Sequence, residues 1–244
     1  MLPPIRRHIL VRADRERAYR VFTAGPGTWW PRENHSIFGR DGVVEFEGDE
    51  IVERSPTGSR DVWGRLLFAA PPQTVSFTWH PGQDAEHSIF EVNFTEVADN
   101  LTLVCLIHVG WESYEDPDSA GVDYLIGWPG VLDRYAAHAN DPDAQLATED
   151  LWLVLSYAHG PNADGAGVTS HPLLAQHAEL VREFADEGVL VAAGALIDEP
   201  DAGQMVIRVP LEHAAAYLAR VEADPSVAER LFLLSVRPWK VWIS

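Results

Sequence analysis

The sequence predicts an α+β protein of two modules, a curved antiparallel sheet gripping a C-terminal helix, followed by a ferredoxin-like βαββαβ unit. Three observations carry this. Short strand-like runs follow one another between turn signals from residue 42 to residue 111. An amphipathic helical run covers 119–139. A fresh apolar strand begins at 151, after Asp141-Pro142-Asp143 has broken that helix, because proline lacks an amide donor and disfavours helical geometry in the residue before it. The expected organisation is a first domain over 1–140, a linker over 141–150 and a second domain over 151–244.

In chain order, residues 5–11 read as a strand. Asp14 is then placed to cap a short helix in which Ala18, Val21 and Phe22 recur at helical spacing. Strands are expected at 42–46, 49–54, 61–69, 74–79, 88–96 and 101–111, punctuated by Ser55-Pro56-Thr57-Gly58, Pro71-Pro72 and Asp99-Asn100. Alternation puts Val75, Phe77 and Trp79 on one side of their strand, and does the same for Phe90, Val92 and Phe94. It also groups Leu101, Leu103, Cys105, Ile107 and Val109, so one sheet face is expected to be strongly apolar. Leu125, Trp128, Leu132, Tyr135 and Ala139 on the covering helix face it, and Pro129 is expected to kink that helix.

The second module reads as strand 151–157, helix 172–187 capped by Ser170, strands 189–195 and 205–209, helix 211–222 and strand 231–236. With both helices on one face of the sheet, the other face needs a cover. The expected cover is a second copy, giving a homodimer through this domain.

Composition narrows the partners. The net charge is −19, from 37 acidic against 18 basic residues, and Lys240 is the only lysine. Such a field repels phosphate backbones and anionic headgroups, so neither nucleic acid nor a membrane is an expected partner. The N-terminal arginines (Arg6, Arg7, Arg12, Arg15, Arg17, Arg20) read as a solvated face. No apolar run approaches the roughly 20 residues of a membrane helix, and Met1 to His8 lacks the apolar stretch of a secretory signal, so a cytoplasmic location is expected. Cys105, alone in an apolar strand, reads as a buried, inert thiol.

Candidate functional residues fall in both modules. Trp29, Trp30, Trp63, Trp79, Trp111 and Trp128, with Phe46, Phe77 and Phe90, could line a cavity for a small apolar or aromatic molecule. A core simply filled by these rings fits the same pattern. In the second module His177 shares an apolar stripe with Leu173, Leu180, Val181 and Phe184. There it needs partners for its ring nitrogens, and a structural histidine is the plain reading of the spacing. His80, His87 and His108 read as polar strand residues. No zinc-protease, phosphate-loop, nucleophile-elbow or dinucleotide motif occurs, so no metal and no cofactor is expected.

Trp29-Trp30, Val43-Val44-Glu45-Phe46, Trp63-Gly64, Pro71 through Trp79 and Gly127-Trp128 through Leu132 resemble the START-like SRPBCC superfamily, in the subgroup named for activators of the ninety-kilodalton heat-shock protein ATPase. The resemblance implies a helix-grip fold. It also implies ligand carriage, with a chaperone-associated or stress-response role as an alternative. His177-Ala178-Glu179-Leu180, Gly188 through Gly194, Ala223-Asp224-Pro225 and Val236-Arg237-Pro238-Trp239 are similar to the YCII-related family. That resemblance implies a dimeric α+β barrel with a histidine–aspartate pair in a cleft. His177 aligns with the histidine, and Asp224 is the best available aspartate. Such a pair implies general acid/base catalysis, as in a lyase or isomerase acting on a small aromatic or enolisable compound. Small-molecule binding by the first domain is the leading expectation. Whether the protein is an enzyme stays open.

Overall fold

The computed structural model describes residues 3–83, 88–163, 168–199 and 201–242. It is a mixed α+β structure in two compact units, Met1–Gln145 and Leu146–Ser244. Residues 141–145, read from sequence as linker, are tied to the first unit. The Asp141 amide donates to the Arg12 carbonyl at 2.7 Å, and Arg12 Nε donates to the Ala144 carbonyl at 3.1 Å.

In the first unit β1 (Ile5–Val11) leads to α1 (Arg15–Ala24), whose cap Asp14 accepts the Arg17 amide. A one-turn helix, α2 (Pro26–Trp29), follows. Six strands come next: β2 (Val43–Glu47), β3 (Glu50–Arg54), β4 (Arg60–Ala70), β5 (Thr74–Trp79), β6 (Ser88–Ala98) and β7 (Leu101–Val109). All seven strands form one antiparallel sheet in the order β1-β7-β6-β5-β4-β3-β2. The meander was legible. Its last strand was assigned the wrong face, because Val104 and Leu106 join the core with Val92 and Phe94, whereas Cys105 and Ile107 are only partly covered. Apolar residues on both sides of β7 leave alternation without a phase. Pairing with β6 supplies it, since Val92 stands opposite Leu106 and the polar Asn93 opposite Cys105. Cys105 is therefore not the fully buried thiol expected.

The covering helix α3 (Pro117–Ala139) begins at Asp116, which accepts the Ser119 amide, and stays helical through Pro129. Proline at 129 leaves the Leu125 carbonyl without its donor four residues on. Arg7, nearly buried on β1, fills that role, with Nη2 3.1 Å from the Leu125 oxygen. Tyr135 Oη donates to the Ala18 carbonyl at 2.7 Å and ties α3 to α1.

The second unit runs β8 (Asp150–His159), α4 (Pro172–Asp186), β9 (Leu190–Ala195), β10 (Gly203–Pro210), α5 (Ala214–Glu222), α6 (Pro225–Ala228) and β11 (Phe232–Pro238). The strands pair antiparallel in the order β11-β8-β10-β9. The cap of α4 is His171, not Ser170: the His171 ring Nδ1 accepts the Leu173 amide at 3.2 Å. Residues 211–213 form a 3-10 turn rather than the start of α5. Leu153, Leu155, Tyr157, Met205, Ile207 and Leu234 are buried, while the alternate residues Trp152, Val154, Val206 and Leu233 are only half covered. Among the described residues, no helix is long and apolar enough to cross a membrane.

Candidate functional site

Each unit holds a cavity among its described residues. In the first, a space of about 410 Å³ is walled by Trp30, Trp63, Trp79 and Trp128. The rings meet at steep angles: Trp30 and Trp63 centroids are 5.2 Å apart at 58°, Trp63 and Trp79 5.6 Å at 79°, and Trp30 and Trp128 6.3 Å at 89°. These are tilted and edge-to-face contacts of packed rings, which are 1–9% exposed, so the space lies against the tryptophan cluster. The exposed residues Ile37 and Asp123 mark the mouth, beside His35, Ser36, Pro81 and Tyr124.

Two devices hold this rim. Glu53, fully buried on β3, accepts hydrogen bonds from Ser36 Oγ, from the Ile37 amide at 2.8 Å and from the Phe38 amide at 3.3 Å. Gly127 lets the rim approach α3, since a β-carbon there would stand 3.2 Å from His35 Cε1. Burial pushes the His35 pKa down, so this ring is neutral at pH 7.

Behind Trp128 lies His108, which is fully buried. The Trp128 indole Nε1 donates to His108 Nδ1 at 2.9 Å, and His108 Nε2 is 2.8 Å from Ser88 Oγ. An indole N–H only donates, so Nδ1 must be bare and Nε2 must carry the single ring proton. Ser88 Oγ accepts that proton and donates its own to the Trp79 carbonyl at 3.0 Å. Burial accordingly pushes the His108 pKa down to about 3. This histidine orients Trp128 and has no free nitrogen for metal or proton transfer. His87 lies outside the described residues, and no group of three metal-ligating side chains converges among those described.

The remaining sequence candidates are placed elsewhere. Trp29, Phe77, Phe90 and Trp111 are buried in the core and Phe46 packs against it, all outside the cavity wall. Phe77 and Phe90, 5.4 Å apart, belong to a packed layer with Phe22 and Phe94. Sequence reasoning missed His35, Ser36, Asp123 and Tyr124. The last two had a signal, since positions 123, 124, 127, 128 and 131 share one stripe of a helix already anchored on Trp128.

In the second unit, a cleft of about 420 Å³ lies over the α4 stripe of Leu174, His177, Ala178, Val181 and Arg182. Its floor is Ala193, Gly194 and Ala195 of β9, whose small side chains leave the space open, with Gly203, Gln204 and Met205 at the start of β10. His177 Nδ1 and Asp224 Oδ2 are 2.6 Å apart, and Asp224 is almost fully buried. Asp224 also caps α6, its Oδ1 accepting the Ser226 amide at 2.9 Å. One carboxylate oxygen is thus fixed by the backbone and the other by the imidazole. The His177 ring is held between Tyr157 and Phe232, with centroids 4.7 and 5.4 Å away. Tyr157 Oη is buried without a hydrogen-bond partner among the described residues, and burial and the Asp224 charge raise its pKa, so the phenol stays neutral.

No family model matches this chain, and no curated protein does. Solved structures do resemble parts of it. A Chromobacterium violaceum protein matches over 57% of this chain and 99% of its own, at 18% identity and a TM-score of 0.42. CalC, a self-sacrificing resistance protein from Micromonospora echinospora, matches over 56% and 94%, at 23% identity and a TM-score of 0.45. An HSP90 activator from Plasmodium falciparum matches over 44% and 73%, at 16% identity and a TM-score of 0.32.

Proposed function

We propose that the first unit is a helix-grip, START-like binding module whose cavity holds a small apolar or aromatic molecule. The observation that carries this reading is the cavity lined on one side by the cluster of four tryptophans. At about 410 Å³ it falls within the ~300–1,000 Å³ of small-ligand sites, and its few polar groups cluster at one mouth. Titration of planar aromatic compounds should quench tryptophan emission saturably, and His177→Ala should leave the titration unchanged. A chemically broad panel giving no saturable change would defeat the reading.

A second reading rests on a different observation, the 2.6 Å contact of His177 with Asp224 beside a cleft. Asp224 holds the Nδ1 proton, which leaves Nε2 free to take a proton from an enolisable or phenolic substrate, in lyase or isomerase chemistry. Asp224→Asn should shift the neutral imidazole toward the other tautomer, read from its nitrogen NMR shifts, and unchanged shifts would remove this role. We read this unit as ferredoxin-like and paired with a second copy through its half-covered sheet face. Sedimentation should give twice 27.1 kDa, and Val206→Glu should give the monomer. A monomeric wild-type protein would exclude this pairing.

A further inference from the structure

We infer that the second-unit cleft takes a small planar carboxylate, with Ala193 and Ala195 setting its shape and Arg182 pairing with its charge. This rests on the reading of His177 and Asp224 as a proton-transfer pair and names the substrate class of that site.

Shape follows from the strand register. Residues directly opposite one another in a sheet point to the same face. Gly203 stands opposite Tyr157 on β8 and Ala195 on β9, and Met205 stands opposite Leu155 and Ala193. Leu155, Tyr157 and Met205 are buried on the face that carries α4, where Tyr157 meets the His177 ring. Ala193 and Ala195 share that face yet are exposed, so α4 leaves them uncovered and the cleft occupies the space above them. No side chain on this ledge is longer than a methyl, and Gly203 continues it. Such a surface accepts the face of a flat ring, whereas a branched body meets the facing wall of Leu174, Ala178 and Val181.

Charge follows from α4. Leu174, Ala178 and Arg182 recur at four-residue steps along the cleft, with His177 and Val181 in the adjoining row. Helix geometry sets the His177 and Arg182 Cα atoms about 9 Å apart. Glu179 and Asp186 stand three and four residues from Arg182, the spacings at which helical charges pair, yet Arg182 makes no ion pair or hydrogen bond with any described residue. Asp201 also lines the cleft, and its Oδ1 accepts the Val168 amide at 3.1 Å. An unengaged guanidinium offers a carboxylate a planar fork of donors. The acidic field of the whole chain opposes an anion at a distance, but salt screens it beyond about 8 Å, and the Arg182 pairing acts at contact. A one-ring molecule with a short carboxylate arm spans the gap, its ring on the ledge and its reacting carbon at His177. His177 Nε2 takes a proton from a carbon beside a carbonyl, giving imidazolium and enolate, and a proton then returns from the imidazolium to that carbon.

The test uses 3-phenylpropanoate and its neutral counterpart 3-phenylpropanamide on the full-length protein, with binding read by calorimetry and by the His177 ring resonances. The carboxylate should bind at least tenfold more tightly. Arg182→Gln should remove that preference and leave the amide unchanged. Ala193→Leu should abolish binding of both, with circular dichroism confirming that the variant folds. Phenylpyruvate tests the reaction: its C3 hydrogens should exchange with deuterated water in the wild type and only at the protein-free rate in His177→Gln. Equal binding of the two probes, or an Arg182→Gln effect on both or on neither, refutes the charge selection, and retained binding in Ala193→Leu refutes the ledge. In either case exchange of phenylpyruvate would leave the proton-transfer reading standing. Binding that depends on Arg182 and Ala193 without exchange would remove the proton-transfer reading and keep the carboxylate site. If neither probe binds and nothing exchanges, both fall together.

Discussion

His108→Gln tests how the first unit is wired. In the wild type the imidazole is neutral and bonded through both nitrogens, with its pKa pushed from 6.5 down to about 3. Below pH 6.5 the unfolded chain binds a proton here that the folded chain refuses. The stability from this group is therefore complete above pH 6.5 and is lost as pH falls toward 3, at about 1.4 kcal/mol per pH unit. Between pH 7 and pH 5 the loss is about 2 kcal/mol. Glutamine does not titrate. The variant should be less stable at pH 7 by about 2 kcal/mol, because the Trp128 indole and Ser88 lose partners, yet it should lose about 2 kcal/mol less than the wild type on going to pH 5. Urea unfolding at the two pH values, followed by tryptophan emission at fixed ionic strength, measures both. Other titrating groups, His35 among them, cancel in the comparison. Equal pH dependence in the two proteins would mean that His108 accepts a proton in the fold and that its assigned tautomer is wrong.

Three further outcomes are expected. A β-carbon at Gly64 would lie 1.9 Å from the Thr78 carbonyl oxygen, so Gly64→Ala must push β4 from β5 and should cost about 3 kcal/mol or more in chemical unfolding. A loss under about 1 kcal/mol would contradict that close approach. Glu53→Gln places an amide among donors, so the Ile37 and Phe38 amides should exchange about tenfold faster while those of β6 do not change. Arg7→Met leaves the Leu125 carbonyl without its donor beside Pro129 and should cost about 2 kcal/mol, whereas a neutral effect would show that the helix satisfies that carbonyl unaided.

These predictions rest mostly on features the sequence does not display. The strands of the first unit are legible wherever one face is apolar and the other is not, as with Val75, Phe77 and Trp79 on β5. The pattern loses its phase on β7, where both faces are aliphatic. The one-turn helices α2 and α6 are too short for any periodicity, and Asp224, forty-seven residues from His177, is reached only through the family resemblance. What marks Asp224 locally is its position before a proline, a helix-start signal that says nothing of an imidazole partner. Nine aromatic residues were candidates for the cavity, and four line it. Trp30 and Trp29 are adjacent and chemically identical. The difference between them is tertiary: Trp29 Nε1 is bonded to the Val21 carbonyl within the α1–α2 packing, and Trp30 stands among Trp63, Trp79 and Trp128.

The edge strand β9 carries a cost elsewhere in the chain. Val191 through Ala195 are exposed, uncharged and free of proline, so the strand has none of the lysines or prolines that normally stop one sheet edge from pairing with another. The remaining guard is colloidal repulsion between molecules that each carry −19 charges. That guard acts at a distance, reaches only about 8 Å at physiological salt, and vanishes as the pH approaches the isoelectric point of 4.7. Solubility is thus a property of the whole acidic surface, and concentrated samples should be kept well above pH 5 and at modest ionic strength.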